Sequence, residues 1–399
     1  MIKLEEAVAL LCSCSQCIED TEKVSLMEGV GRILAADVSA PMDQPPFARS
    51  PLDGYAIRAA DSAGAAPSSP VCLEVTGEVC AGHVFEGSVH AGQAVRIMTG
   101  APIPQGADTV IKQEHTDYGE QRVQIYESLM PYGNYCACGE DYHKGDVLLK
   151  KGTVLDSASI GTMAGAGMDS IQVYRRPRVG LISTGDEVIA PGMEWQAGKI
   201  YDSNLYLIGA RLRELGIMPV WMIHCGDQPD QMAALIRERA GAVDLIITTG
   251  GVSVGKKDIM HEVVRLLPAK KLFWKVAVKP GAPVLGAVYR DVPVICLSGN
   301  PFGAASNFEL LVRPVLAAMT GNSRYAGKRM KAVFDGEFLK AGPIRRFLRG
   351  YYENGHVRIP EEKHASGILS SLVGCNCMID IEPDRQGLHQ GDMVDVLLF

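Results

Sequence analysis

From residue 178 onward the chain repeats one pattern: a short apolar run, a turn, then an amphipathic stretch. "RVGLIST" (178–184) reads as a buried strand, 205–215 as a helix, 219–224 as a strand, 231–239 as a helix, 244–248 as a strand and 259–267 as a helix. Segments 272–278, 284–289 and 293–297 read as further strands, and 302–319 as a helix. Strands this apolar need cover on both faces, so the alternation predicts an α/β domain on a mostly parallel sheet. A ligand on such a sheet binds beyond the carboxyl ends of its strands.

The flanking sequence follows other rules. Residues 3–18 read as an amphipathic helix with Leu4, Val8 and Leu11 near helical spacing, and 26–34 as a second, short helix. Between 46 and 137, segments 71–76, 94–98, 109–112 and 123–126 read as strands parted by Gly, Pro and Asp, a small β-rich module. Residues 139–155 resemble hairpin strands, and 157–167 a helix. After about 325 the chain is β-rich again, which suits a small C-terminal barrel. At 399 residues, more than one domain is expected.

Composition excludes some classes. A formal net charge of -7 argues against bulk binding to nucleic acid, whose phosphates favour basic surfaces. No apolar run is long enough to span a bilayer, and Glu5 and Glu6 spoil a signal peptide, so the expected location is cytoplasmic. Of 11 cysteines, only Cys14 and Cys17 have C-x2-C spacing, and no second pair repeats it; the set reads as reduced thiols rather than a zinc or iron–sulfur site.

Three loops at strand ends carry chemistry. In "STGDEV" (183–188), Ser183, Thr184 and Gly185 offer hydroxyls and a backbone N–H to an anion, and Asp186 and Glu187 suit a divalent cation. In "TTGGVSVG" (248–255), Thr249, Gly250, Gly251, Ser253 and Gly255 allow close backbone approach and an anion nest, with Asp258 opening the next helix. In "LSGNP" (297–301), Ser298, Gly299, Asn300 and Pro301 start a helix, whose N-terminus favours phosphate. Any one of them reads first as plain turn geometry; three in one α/β unit favour an anion site. None matches the Walker A frame or the dinucleotide fingerprint. "FWKVAVKPG" (273–281), read as a strand, puts Lys275 and Lys279 on one face, either solvated at an edge or converging on an oxyanion. Asp53 before Gly54 reads as capping a turn, Thr99 lies in a proline-rich loop, and Asp141 in a loop at "GED".

Taken in order, "DGYA", "RIMTGAPIPQGADTV", "GED", "STGDE", "TTGGVSVG", "FWKVAVKPG" and "LSGNP" resemble the molybdopterin molybdenumtransferases, the bacterial MoeA proteins and the gephyrin E domain. The resemblance covers nearly the whole chain. It implies an elongated homodimer of four parts: a dimerising segment (1–45 and 138–172), an inserted β-rich lobe (46–137), an α/β molybdopterin-binding domain (173–324) and a C-terminal β-barrel (325–399). It further implies insertion of molybdenum from molybdate into adenylylated molybdopterin, with Mg2+ present and AMP released. Carried over position by position, Asp186, Glu187, Asp227 and Asp258 would serve metal and pterin binding. Lys275 and Lys279 would contact phosphate or molybdate, and Arg349 and Ser366 would complete an oxyanion pocket. Asp53, Thr99 and Asp141 would come from the lobe side, with Asp53 and Thr99 acting across the dimer in a composite site. Partners implied include the molybdopterin adenylyltransferase and apo-molybdoenzymes.

The chain departs from the family pattern in three places. Cys136 stands where an arginine is usual, Lys256 where a glutamate is usual, and Ala282 where a lysine is usual. The expectation is that Lys256 or Lys257 replaces part of the charge lost at Ala282. A tungsten-inserting paralogue, a weakly active or non-catalytic molybdopterin-binding scaffold, and an ATP-using adenylyltransferase are the alternative readings.

Overall fold

The computed structural model describes residues 1–252, 259–340, 342–360 and 365–399. The chain divides into two compact units, one of Met1–Glu22, Gly31–Ile33 and Gln172–Phe399, the other of Lys23–Val30 and Leu34–Ile171.

The first unit is built on a six-stranded sheet of β1 (Val179–Thr184), β2 (Trp221–Cys225), β3 (Leu245–Thr249), β4 (Lys270–Trp274), β5 (Leu285–Tyr289) and β6 (Val292–Leu297), in the order β2-β1-β3-β6-β5-β4. The four strands β2, β1, β3 and β6 run parallel, and β5 and β4 add on antiparallel. Side chains alternate between two cores, as the strand period demands. Val179, Leu181, Leu245, Ile247, Ile295 and Leu297 pack on one face with the helices Leu4–Ser13 and Asn204–Glu214. Ile182, Ile246, Val294 and Cys296 pack on the other with Pro229–Arg239 and Met260–Leu266.

The chain after β4 departs from expectation. The strand anticipated over 272–278 stops at Trp274, because Lys275 takes the left-handed backbone at φ 66°. Val276 then bridges Ile2, and Val278–Lys279 leaves the sheet to pair with Arg345–Arg346. Lys275 and Lys279 therefore do not share a strand face. The final helix also differs: Pro301–Asn307 and Arg313–Thr320 flank a π-helical turn at Phe308–Val312. Pro314 has no N–H to give the carbonyl four residues back, which suits the wider turn. That turn sets Glu309 against Arg211 and Arg313 in the interior. The first helix ends at Ser13 rather than 18; the Ser13 and Ser15 hydroxyls donate to the Leu10 and Leu11 carbonyls there.

The C-terminal strands Lys328–Phe334, Arg345–Glu353, His356–Arg358, Cys377–Ile381 and Met393–Leu398 form a closed ring, because Arg345–Glu353 pairs with both His356–Arg358 and Cys377–Ile381. The barrel expected from the sequence is present.

The second unit holds a five-stranded sheet in the order Thr109–Lys112, Gly54–Ile57, Gln93–Ile97, Val71–Val79, Arg122–Ile125. Gly54–Ile57 was not anticipated as a strand, yet it is fully buried and paired on both sides. A Cβ on Gly54 would sit 1.9 Å from the Ile111 carbonyl oxygen, so this glycine serves close strand approach rather than a turn. The hairpin expected over 139–155 reduces to Val147–Leu149, which pairs with Val38–Ser39. The helix expected over 26–34 is a single 3-10 turn, Met27–Gly29.

Candidate active site

β1, β3 and β6 are neighbours in the sheet, so the three glycine loops that follow them converge at one edge. There they line a cavity of about 670 Å³. Ser183, Thr184, Gly185 and Glu187 come from the first loop, Thr249, Gly250 and Gly251 from the second, and Ser298, Gly299, Asn300 and Pro301 from the third. Gly250 has φ 93°, and a Cβ there would lie 2.5 Å from the Thr184 carbonyl oxygen; only glycine lets the two loops close together. Ser253, Gly255, Lys256, Lys257 and Asp258 lie outside the described residues, and so does the idea of charge compensation by those lysines.

Asp186 of the first loop and Asp227, from the loop after β2, hold one another. Asp227 donates its N–H to an Asp186 carboxylate oxygen at 3.0 Å, and Asp186 returns an N–H to Asp227 at 3.3 Å. The Thr184 hydroxyl donates to Asp227 at 2.9 Å. Glu187 and Asp227 line the cavity, whereas Asp186 does not. Among the described residues no group of three or more His, Cys, Asp or Glu is arranged to hold a metal ion.

A second hollow of about 930 Å³ shares a wall with the first, since Pro283, Ser298 and Asn300 line both. Lys279 and Ser366 line it, together with Lys340 and Arg346. Among the described residues that line it there is no carboxylate. Ala282 faces the same hollow.

Two expected pocket residues are placed otherwise. Lys275 lines neither space; its ammonium lies 4.1 Å from the centroid of the Trp274 ring. Arg349 is 1% exposed and also lines neither. Its guanidinium donates to the carbonyls of Ala365 and Ile368, each at 2.9 Å, and lies 4.3 Å from the Phe302 ring centroid. It thereby fixes the segment whose Gly367 and Leu369 wall the first cavity and whose Ala365 and Ser366 wall the second.

Asp53, Thr99 and Asp141 belong to the other unit. Asp53 accepts the backbone N–H and the hydroxyl of Thr99, each at 2.7 Å. The N–H first and the hydroxyl second hold its carboxyl below the usual carboxylate range. Asp141 is exposed, and its N–H donates to the Gln44 carbonyl.

Several neighbours escaped the sequence reading. Asn307 is buried; it accepts from the Ser298 N–H at 3.2 Å and donates to the Gly281 carbonyl at 3.0 Å, tying the third loop to the "KPG" turn. An amide inside the apolar stretch "ASNFELLV" was the available signal. Asp202 and Asn204 line the first cavity, and each keeps one buried oxygen without a hydrogen-bond partner among the described residues. "DSN" before a helix reads as capping, which hides them. The Ser183 hydroxyl pairs with His224 at 3.1 Å.

Matches to known proteins cover most of the chain. Residues 2–167 match the family model described as the MoeA N-terminal region (domain I and II), 180–318 a probable molybdopterin binding domain, and 331–399 the MoeA C-terminal region (domain IV). A Bacillus subtilis protein named molybdopterin molybdenumtransferase is 37% identical over 404 residues, covering 100% of this chain and 94% of the relative. The chain belongs to the molybdopterin molybdenumtransferase family. A family member from Staphylococcus epidermidis is 35% identical over 94% of this chain and 90% of its own length. The solved molybdopterin biosynthesis moeA protein of Pyrococcus horikoshii superposes with a TM-score of 0.84 at 33% identity, covering all of both chains. As a molybdopterin molybdenumtransferase family member, the chain is an enzyme of molybdenum cofactor biosynthesis. No helix among the described residues is long and apolar enough to cross a membrane.

Proposed function

We propose that the protein inserts molybdenum from molybdate into adenylylated molybdopterin, releasing AMP. The observation that carries this reading is the shared wall: a cavity ringed by glycine and hydroxyl loops opens beside a hollow whose described lining holds cations and no acid. The first suits the phosphates of the pterin nucleotide, whose charge is met by backbone N–H groups and hydroxyls. The second suits a compact dianion. Ser298 and Asn300 stand where the two ligands meet. Fixed N–H and cationic groups there need little reorganisation as negative charge moves during cleavage of the phosphoanhydride.

Mg2+ takes one or two carboxylates together with substrate phosphates rather than a closed protein cage. Glu187 and Asp227, which line the first cavity, would supply two carboxylates of that kind, with Asp186 bonded to Asp227. These residues would hold the ion, with Asp258 as the further expected ligand. When bound, Mg2+ neutralises phosphate charge. Thr184 keeps Asp227 in place, and Arg349 keeps the 365–368 segment closed over both ligands. The proposal includes a cytoplasmic homodimer in which Asp53 and Thr99 of one chain serve the site of the other.

The test supplies the full-length protein with adenylylated molybdopterin, Mg2+, and either molybdate or tungstate, and measures AMP and cofactor formed. AMP release with molybdate, lost in Glu187→Ala and Lys279→Ala, is the expected result. Faster turnover with tungstate would assign the tungsten reaction. Tight pterin binding without turnover on either oxyanion would make the protein a scaffold. ATP consumption with unmodified molybdopterin would make it an adenylyltransferase.

A further inference from the structure

Arg345 and Arg346 are adjacent in one strand, yet their surroundings are opposite. Arg345 is met by the carboxylates of Asp380, Glu5 and Glu382. Arg346 points to the other side, as strand alternation requires, and lines the second hollow. Among the described residues it has no carboxylate partner; its guanidinium lies 5.5 Å from the Phe338 ring centroid. Lys279 is its register partner on the neighbouring strand, and Lys340 lines the same hollow, also without a described acid. Three cations around one space, with no acid among its described lining residues, leave a positive charge for a ligand to neutralise. Aromatic packing beside Arg346 restrains its planar fork, which suits bidentate contact with an oxyanion.

We infer that Arg346, assisted by Lys340, holds the oxyanion in this chain and supplies the charge that the family pattern draws from a lysine at position 282. The inference rests on the proposed molybdenum insertion and names residues that the resemblance did not. Ala282 lines the hollow, so a lysine there would enter the space Arg346 serves. The ligand class is a tetrahedral dianion. Free oxyanion is favoured over a phosphate of the nucleotide, because the glycine loops that cradle phosphate surround the other cavity.

The experiment uses the full-length protein and titrates sodium molybdate alone, AMP alone, and both substrates in the AMP-release assay. Arg346→Ala should raise the KM for molybdate about tenfold to a hundredfold, the range for loss of a charge-assisted contact. Its KM for adenylylated molybdopterin should stay within about twofold. Arg346→Lys should keep most of the affinity, and Lys340→Ala should show a smaller loss. Ala282→Lys added to Arg346→Ala should recover much of the molybdate affinity, which a folding defect would not allow. Unchanged molybdate binding in Arg346→Ala, with the parent active, overturns the inference and leaves the proposed function standing. Weakened AMP binding with unchanged molybdate binding assigns the hollow to phosphate and also overturns it. A parent protein that binds no molybdate and releases no AMP removes the proposed function itself.

Discussion

Asp53 takes two hydrogen bonds from one residue, Thr99, and both favour the charged carboxylate. A carboxyl whose folded pKa is depressed stabilises the fold above its unfolded pKa of about 3.9. That contribution disappears as pH falls through the lower folded value. Thr99→Ala removes the hydroxyl and keeps the N–H. A carboxyl-carbon NMR titration should therefore show the Asp53 midpoint move up, part of the way to its usual value. The stability deficit of Thr99→Ala in urea should be present at pH 7 and vanish once Asp53 is protonated in both proteins. At this scale the sequence was informative where chemistry is local. Hydroxyls and glycines at the ends of parallel strands announced Thr184, Gly250 and Ser298. It was misleading where long-range pairing decides the backbone. Lys275 turns left-handed as the chain leaves β4 to bridge Ile2 near the N-terminus, and no neighbouring residue records that. Arg349 was expected in the pocket only from the family resemblance; its backbone acceptors at 365 and 368 follow it by 16 and 19 residues.

The helix that follows β6 shows what one proline does to an element. Its apolar stretch predicted a regular helix over 302–319, and the element is there, but the π-helical turn before Pro314 was not legible. Periodicity reports a face, not a change of hydrogen-bond step. The turn places Glu309 between Arg211 and Arg313, where it accepts at 2.7 Å from each. Glu309→Gln keeps the shape and leaves the buried Arg313 without its described counter-charge, while Arg211 keeps Glu214. Breaking such a buried pair costs about 3–5 kcal/mol, so urea denaturation should show a clearly lower midpoint. A loss below about 1 kcal/mol would mean that the Tyr325 and Arg324 carbonyls suffice for Arg313. The Gly54–Ile57 strand makes the converse point. "DG" carried a turn signal, and only contact with the backbone of 111 reveals why a glycine is required in the middle of a sheet.

Across the whole molecule, the candidate residues divide between the two units. Asp53, Thr99 and Asp141 are in one, and the loops and cations are in the other. If the proposed dimer builds each site from two chains, inactive variants of different units should complement each other. Asp53→Ala and Lys279→Ala chains, unfolded together and refolded as a mixture, would give about half mixed dimers with one intact site each, hence about a quarter of the parental rate. Each variant alone should stay inactive. A mixture as inactive as its components would place every functional group of a site on one chain. The fold class was legible because each stretch has its own rhythm: alternating strands, then strand and helix in turn, then strands again.

The wall shared by the two hollows has a kinetic meaning. Pro283, Ser298 and Asn300 face both spaces, so in the proposed reaction each ligand would settle in its own chamber while the other is filled. Under that proposal neither would need to depart before its companion arrives, and the chain would not need to carry a piece of one over to the other. Initial rates measured against one substrate at several fixed levels of the second should give double-reciprocal lines that intersect rather than run parallel.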